Sequence, residues 1–114
     1  MKGQMTDKLR VHHILDAIHE VESYLENITY EDFQNNSEKR FATIKQIEII
    51  GEACNHITPG LKQKYSEIEW RSINGFRNIS IHEYFGVNFK LVWEIAQNDL
   101  PVLKQSFQKI LDAF

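Results

Sequence analysis

The apolar residues of this chain recur at intervals of three and four along almost its whole length, which places them on one face of successive helices. In the clearest segment they form one stripe over about seven helical turns: Phe89, Val92, Trp93, Ala96, Leu100, Leu103, Phe107, Ile110, Leu111 and Phe114. Pro101 lies inside this segment and predicts a kink after its first half, because proline removes a backbone donor. No segment alternates apolar and polar residues. The chain is therefore predicted to be an all-α bundle of four or five helices.

The first predicted helix runs from Asp7 to about Asn27, with Thr6 as its N-cap. The stretch "NITYEDFQNNSE" then interrupts the helical spacing with Asn, Ser and acidic residues. We expect a loop there, in which Tyr30 and Phe33 fold back as a one-turn cover over the core.

The second predicted helix starts after Ser37 as N-cap and ends at "TPG", where Pro59 suits the first turn of a new, short helix. Gly51 lies inside this second helix at a cost of about 1 kcal/mol relative to Ala. Such a cost is usually accepted where another backbone comes close. Gly51 therefore predicts a tight contact.

Length and composition favour one domain over residues 1–114, which at this size buries roughly two thirds of its unfolded surface. The amino terminus has no apolar signal-peptide core, and no 18 apolar residues run together. We therefore expect a cytoplasmic protein without a membrane span. Cys54 is the single cysteine, which excludes an intrachain disulfide, and we expect it to be buried.

The formal net charge of −3 and the pI near 5.9 exclude binding to nucleic acid through a general basic field. Any contact with RNA then requires a local positive charge. The nearest candidates are Lys62, Lys64, Arg71, Arg77 and Lys90.

The segment "GFRNISIHEYFGV" continues a helical stripe from Trp70 to about Tyr84 and carries Arg77, Asn78 and His82 among apolar residues. On a regular helix Asn78 and His82 lie one above the other, whereas Arg77 and His82 are about 140° apart. The latter pair converges on one phosphate only if the helix is distorted, if long side chains wrap round, or if a second copy supplies the missing half. A two-fold homodimer does the last.

The polar residue types of this segment suit cleavage of a phosphodiester. RNA is cut without metal when its 2′-OH attacks the adjacent phosphorus, which requires a proton carrier of pKa near 7 and a fixed cation. His82 fits the first role and Arg77 the second, while Asn78 orients His82 or donates to phosphate, and Tyr84 offers a phenol. By spacing alone, an equally open interpretation makes Arg77 a solvated or paired surface charge and His82 a helix-end cap.

The remaining histidines and the glutamate pair of the second helix give weaker evidence for a functional site. His12 and His13 are helix neighbours that face different ways, and His19 and His56 stand alone, so no metal site or cofactor is predicted. Glu48 and Glu52 form a same-face pair, better interpreted as a solvated or Arg-pairing ridge than as an acid/base dyad.

The motif "RNISIH" followed by "EY" resembles the Arg, four residues, His, any residue, Tyr motif of the HepT-like toxins, a branch of the HEPN superfamily. The likeness extends in order and spacing to further segments: "YEDF", "IEIIGEA", "YSEIEWRSINGFRN" and "HEYFGVNFKLVWEIAQNDLPVLK". The resemblance implies an all-helical domain that dimerises with the motif at the two-fold interface, forming a metal-independent endoribonuclease. It assigns Arg77 and His82 as the catalytic pair and Asn78 as the supporting polar residue.

The same resemblance implies a partner. Such toxins are typically paired, in a type VII-like toxin–antitoxin system, with a minimal nucleotidyltransferase antitoxin of the MntA type that transfers AMP to the motif tyrosine, here Tyr84. Each AMP adds charge and bulk two residues from His82, where an RNA phosphate binds. The alternative hypothesis is a non-catalytic helical module that binds a nucleotidyltransferase.

Overall fold

In the computed structural model of the chain, the described residues 2–79 and 89–114 are helical over most of their length and contain no strand. The α-helices are α1 (Lys2–Leu25), α2 (Tyr30–Gln34), α3 (Ser37–Asn55), α4 (Pro59–Lys64), α5 (Trp70–Asn74), α6 (Phe89–Glu94) and α7 (Leu100–Asp112). A 3₁₀ turn, Gly75–Asn78, continues α5, and a π-turn, Ile95–Asp99, joins α6 to α7.

The all-α prediction is confirmed, but the predicted number of four or five helices is too low. If each unbroken run counts once, the described residues form six helical segments. The difference comes from short helices such as α2, which the periodicity of apolar residues cannot separate from a loop because it spans a single turn. No helix among the described residues is long and apolar enough to cross a membrane.

The hydrophobic core lies where α1 packs against α3 and against α7. Its fully buried side chains include Ile14 and Ile18 of α1, Ile47 and Ile50 of α3, and Phe107 of α7. Each such side chain stabilises the fold by about 1.5–3 kcal/mol relative to an exposed position. The apolar stripes predicted for these three segments are therefore the faces that meet in the core.

The N-terminal end of α1 differs from the prediction. The helix begins at Lys2, so Thr6 lies inside it and is not its N-cap. The carboxylate of Asp7, 3% exposed, accepts hydrogen bonds from the Thr58 backbone N–H at 2.9 Å and the Thr58 hydroxyl at 2.6 Å. Thr58 is the N-cap of α4, which starts at Pro59 as predicted. These contacts hold the first turns of α1 against the start of α4. No proline precedes Thr6, so nothing in the sequence prevents the helix from starting before it.

The predicted one-turn cover is confirmed as helix α2. Thr29 and Asp32 form a capping box, with reciprocal bonds of 3.1 Å between each backbone N–H and the other side chain. Phe33 is fully buried. Its ring centroid lies 5.3 Å from that of Trp93 on α6, and Tyr30 packs on the same ring at 5.9 Å.

The N-cap predicted for the second long helix is wrong by one residue. Asn36 caps α3, with its side-chain oxygen accepting a hydrogen bond from the Lys39 N–H at 3.0 Å, and Ser37 is the first helical residue. Asn is at least as good an N-cap as Ser, so two adjacent candidates compete and the preceding turn decides between them.

The helical run that contains Pro101 is interrupted just before this proline. The N–H of Leu100 donates to the carbonyl of Ile95, five residues back, which is the hydrogen bond of a π-turn. Pro101 has no N–H with which to continue an α-helical ladder, and it occupies the first turn of α7, where none is needed. A π-turn therefore lies directly before Pro101, in the segment for which this proline predicted a kink.

Gly51 is the point at which the 3₁₀ turn approaches α3. A Cβ atom built on Gly51 would lie 2.6 Å from the backbone N of Arg77 and 3.0 Å from the carbonyl carbon of Phe76. The predicted tight contact is confirmed, and its partner is the backbone of the motif segment. Only glycine at position 51 permits this approach without a shift of the chain.

We expect Gly51→Ala to lower the free energy of unfolding by about 1 kcal/mol or more. Overpacking costs about 1–3 kcal/mol, and an approach of 2.6 Å to a backbone nitrogen belongs in the upper part of this range, about 2–3 kcal/mol. The better helix propensity of Ala recovers about 1 kcal/mol, which leaves a net loss of about 1–2 kcal/mol. Urea denaturation of both proteins measures the difference.

Gly60→Ala is the matched control, because a Cβ at Gly60 meets no heavy atom within 4 Å in the described part of the chain. Its stability is expected to be unchanged or slightly raised. Equal stability of Gly51→Ala and the wild type would contradict the tight contact.

Candidate functional site

The 3₁₀ turn exposes its polar residues and buries its apolar ones. Phe76 and Ile79 are buried on either side of Arg77 and Asn78, which are exposed. Together with the contact at Gly51, these two apolar anchors hold the backbone of Arg77 against the core. The described part of the motif segment therefore presents its charged residue from a fixed backbone.

The geometry of the turn corrects one expectation. The N–H of Ile79 donates to the carbonyl of Phe76, three residues back, and the turn Gly75–Asn78 is 3₁₀ and not α-helical. In a 3₁₀ turn each residue advances by about 120°, so the angle of about 140° between Arg77 and His82, which assumed a regular α-helix, does not apply. The helix departs from α-helical geometry at Arg77, whereas its path from residue 80 to His82, on which the predicted alternatives depend, lies outside the described residues. His82 and Tyr84, and the helix end predicted near Tyr84, lie outside the described residues.

Arg77 forms an ion pair with Glu52 of α3, the residue next to Gly51. The Arg77 Nε donates to Glu52 Oε2 at 2.8 Å, and the other oxygen, Oε1, lies 2.9 Å from His56 Nε2. The prediction of an Arg-pairing ridge is thus confirmed for Glu52. The three side chains are partly solvated, with exposed fractions of 38% for Arg77, 53% for Glu52 and 48% for His56.

The two partners of Glu52 change its titration. The hydrogen bond from His56, and then the hydrogen bond from Arg77, lower the pKa of the Glu52 carboxyl below its ordinary value. Glu52 is therefore a carboxylate at neutral pH, and it carries the charge needed to hold the guanidinium.

A shallow depression of about 300 Å³ adjoins the ion pair. Arg77 lines it together with four residues of α3: Lys45, Glu48, Ile49 and Glu52. Lys45 was not predicted as a site residue, because it lines the depression together with Arg77, which lies on an element distant in sequence. Its spacing of seven residues from Glu52, which puts both on one helix face, was the available signal.

His56 is the second residue that sequence reasoning missed. It was taken to stand alone, but the interval of four residues from Glu52 to His56 places the two side chains together on α3. Within residues 2–79 and 89–114, no three His, Cys, Asp or Glu residues are placed to hold a metal ion.

Cys54 contributes no chemistry here. It is buried in the core as predicted, and burial raises the pKa of its thiol to about 12. Among the predicted local cations, Lys62 and Lys64 of α4 lie near aromatic rings, with Nζ 5.9 Å from the Trp70 ring and 5.8 Å from the Tyr65 ring, respectively. Arg71 and Lys90 are exposed.

We expect the pKa of Glu52 to rise towards its ordinary value in Arg77→Ala and in His56→Ala, because each change removes a donor that stabilises the carboxylate. Since the folded-state pKa is lowered, the pair stabilises the fold above the ordinary pKa of Glu and loses this contribution as pH falls through the lowered value. Carboxyl-carbon NMR over a pH series measures the titration of Glu52. An unchanged titration of Glu52 in both variants would contradict the assignment.

Comparison with known proteins identifies the family of this chain. A family model described as "Ribonuclease HepT-like" matches residues 14–110, most of the 114-residue chain. This range includes α3, the 3₁₀ turn and the whole motif segment. A comparison with solved structures found no match.

Similar proteins occur in archaea and bacteria. "Probable ribonuclease HepT" of Thermococcus cleftensis is 38% identical over 97 residues, which cover 85% of this chain and 88% of that protein. "Putative RNase MJ1380" of Methanocaldococcus jannaschii is 36% identical over 101 residues, or 89% and 93% of the two chains. "Putative RNase TTE0752" of Caldanaerobacter subterraneus subsp. tengcongensis is 33% identical over 106 residues, or 93% and 95%. From the family match and these full-length likenesses, the chain belongs to the HepT-like ribonuclease family.

Proposed function

We propose that this protein is a metal-independent endoribonuclease in which Arg77 and His82 are the catalytic pair. The observation that carries the proposal is the presentation of Arg77: its backbone is held by the contact at Gly51, and its side chain is partly exposed beside the depression on α3. A fixed cation of this kind suits the crowded, anionic phosphorane formed when a phosphodiester is cut. Family membership and the intact motif support the same activity.

The proposed reaction needs no group from outside the protein and the RNA. His82 takes the proton from the 2′-OH, whose oxygen forms a bond to phosphorus as the bond from phosphorus to the 5′-oxygen breaks. The leaving 5′-oxygen takes its proton from the protonated histidine of a second motif segment, and the product ends in a 2′,3′-cyclic phosphate. Arg77 donates hydrogen bonds to the phosphate oxygens, and Asn78 donates to phosphate or orients His82.

The active form we propose is a homodimer with the motif segments at its two-fold axis. One chain brings a single motif histidine, whereas the reaction requires both a proton acceptor and a proton donor, and an isologous interface brings two copies of the same segment together. The angular argument that first suggested a second chain no longer applies at the 3₁₀ turn, so the proposal depends on this chemical requirement and on the family resemblance.

We propose further that the protein is the toxin of a type VII-like toxin–antitoxin pair, silenced when a nucleotidyltransferase antitoxin transfers AMP to Tyr84. The physical basis is the short distance along the chain from Tyr84 to His82, two residues. An added phosphate there repels the phosphate of RNA, and the adenosine fills the space that RNA needs.

We expect the purified wild-type protein to cleave tRNA or mRNA in the presence of EDTA, and expect Arg77→Ala and His82→Ala each to lose activity by at least about a hundredfold. Gel separation of the products measures the cleavage. Lys109→Ala, which removes an exposed cation of α7, is the control and should match the wild type.

An equimolar mixture of wild-type and His82→Ala chains tests the dimer in the same assay. If each site needs the histidines of both chains, only the dimers with two wild-type chains are active, and random pairing leaves about a quarter of the activity of wild-type protein at the same total concentration. Chains that act alone would keep about half of it, and that result would contradict the dimer. Absence of cleavage by the wild type, accompanied by a stable complex with a nucleotidyltransferase, would instead favour the non-catalytic binding module.

For regulation, we expect a cognate nucleotidyltransferase with ATP to add AMP to Tyr84 and to abolish RNA cleavage. Tyr84→Phe lacks the phenolic oxygen that accepts the AMP group, and should remain active after the same treatment. Peptide mass spectrometry locates the modification. AMP found only on other residues, or silencing of Tyr84→Phe, would contradict this role.

A further inference from the structure

The side chain of Arg77 is held at a second point, one residue along α3 from the contact that holds its backbone. Gly51 admits the backbone N of Arg77, and Glu52 accepts the hydrogen bond from Arg77 Nε at 2.8 Å. We propose that Glu52 is a positioning residue for Arg77 and that His56 orients Glu52. This inference rests on the proposed function of Arg77 and deepens it.

The bond to Nε defines how the guanidinium is presented. Nε is the nitrogen nearest the aliphatic part of the side chain, so a bond there fixes the plane of the group. The four N–H donors on the two Nη atoms take no part in this contact, and they are the donors that grip phosphate oxygens in pairs. Glu52 therefore binds the Nε side of the guanidinium and leaves the two Nη atoms to bind phosphate.

His56 fixes the carboxylate from its other side. Oε1 of Glu52 lies 2.9 Å from His56 Nε2, while Oε2 accepts from Arg77. With one partner on each oxygen, rotation of the carboxylate about its terminal bond breaks both hydrogen bonds. The series His56, Glu52, Arg77 thus connects one turn of α3 to the 3₁₀ turn.

The exposure of these three side chains argues against a role in stability. About half of the Glu52 and His56 side chains and more than a third of Arg77 are open to solvent. Ion pairs this exposed contribute little to folding, because water screens the charges and holding long side chains costs entropy. A pair that fixes the direction of a substrate-binding cation instead affects the rate, because a misplaced group loses much of its catalytic effect.

The experiment compares four variants with the wild type: Glu52→Ala, Glu52→Gln, His56→Ala and His56→Gln. Glu38→Gln is the matched control, since it removes an exposed carboxylate from the first turn of the same helix. The readouts are kcat and KM for RNA cleavage, the melting temperature, and the NMR signal and solvent exchange of the Arg77 Nε–H group.

We expect Glu52→Ala to lower kcat on the order of tenfold to a hundredfold, with little change in melting temperature. Glu52→Gln should lose less, because its amide oxygen still accepts from Nε. His56→Ala should lower kcat several-fold and His56→Gln, which keeps a donor, should recover much of it. The Nε–H of Arg77 should exchange faster in Glu52→Ala than in the wild type and Glu38→Gln.

The outcomes separate this inference from the proposed function. If the wild type does not cleave RNA, the proposed function fails, and the exchange of Arg77 Nε–H still tests the hold by Glu52. If the wild type cleaves and Arg77→Ala does not, equal kcat in Glu52→Ala and the wild type overturns the inference. A rise in kcat in Glu52→Ala also overturns it, because Glu52 would then compete with RNA for Arg77. Equal kcat in His56→Ala and the wild type overturns the part assigned to His56.

Discussion

The candidate site depends on the close approach of the 3₁₀ turn to α3 at Gly51. A side chain at position 51 would meet the backbone of Arg77 and Phe76, so the absence of a Cβ atom sets the distance between the two elements. That distance brings the Arg77 side chain within reach of Glu52, the next residue of α3. Packing between two helical elements thus determines where the cation of the motif lies, and an exposed ion pair completes its orientation.

Much of this arrangement was predictable from local pattern. Apolar spacing predicted the three long segments that form the core. Pro59 predicted a helix start, and Pro101 predicted an irregularity, a kink, in a segment that contains a π-turn. Gly51 predicted a close contact, because glycine destabilises a helix and is usually found there where another backbone comes close. Glu52 was predicted as a member of a solvated or arginine-pairing ridge, and the structure shows the pairing with Arg77. Each of these depends on chemistry that acts within a few residues or on one face of a helix.

Several of the errors concern contacts between elements that are distant in sequence. Helix α1 begins at Lys2, so Thr6 is not its cap, and Asp7 in its first turns binds Thr58, the N-cap of α4. The chain leaves α-helical geometry at Gly75, where the segment packs against α3, and apolar spacing does not distinguish a 3₁₀ turn from an α-helical one over four residues. His56 and Lys45 were missed for the same reason. Both belong to the candidate site only because Arg77, from a distant part of the sequence, lies beside them.

The net negative charge of the protein affects how RNA can bind at this site. A chain with a net charge of −3 offers RNA no general attraction. Binding must then come from local cations, and Arg77 is one whose backbone and side chain are both held. The carboxylate of Glu52 partly offsets the positive charge of Arg77. The pair therefore attracts RNA less at long range, but it fixes the position of the guanidinium. We therefore expect the rate of RNA cleavage to depend more on the position of Arg77 at the phosphate than on electrostatic attraction of RNA to the protein.

The central claim is that the 2′-OH of RNA is the nucleophile at a site formed by Arg77 and His82. The most direct test uses an RNA that the wild-type protein cuts, together with the same RNA carrying a single 2′-deoxy sugar on the 5′ side of the cut. The account predicts that the unmodified strand gives a 2′,3′-cyclic phosphate in EDTA, whereas the modified strand stays intact at that position. Cleavage of the 2′-deoxy strand at the same bond and rate would contradict it.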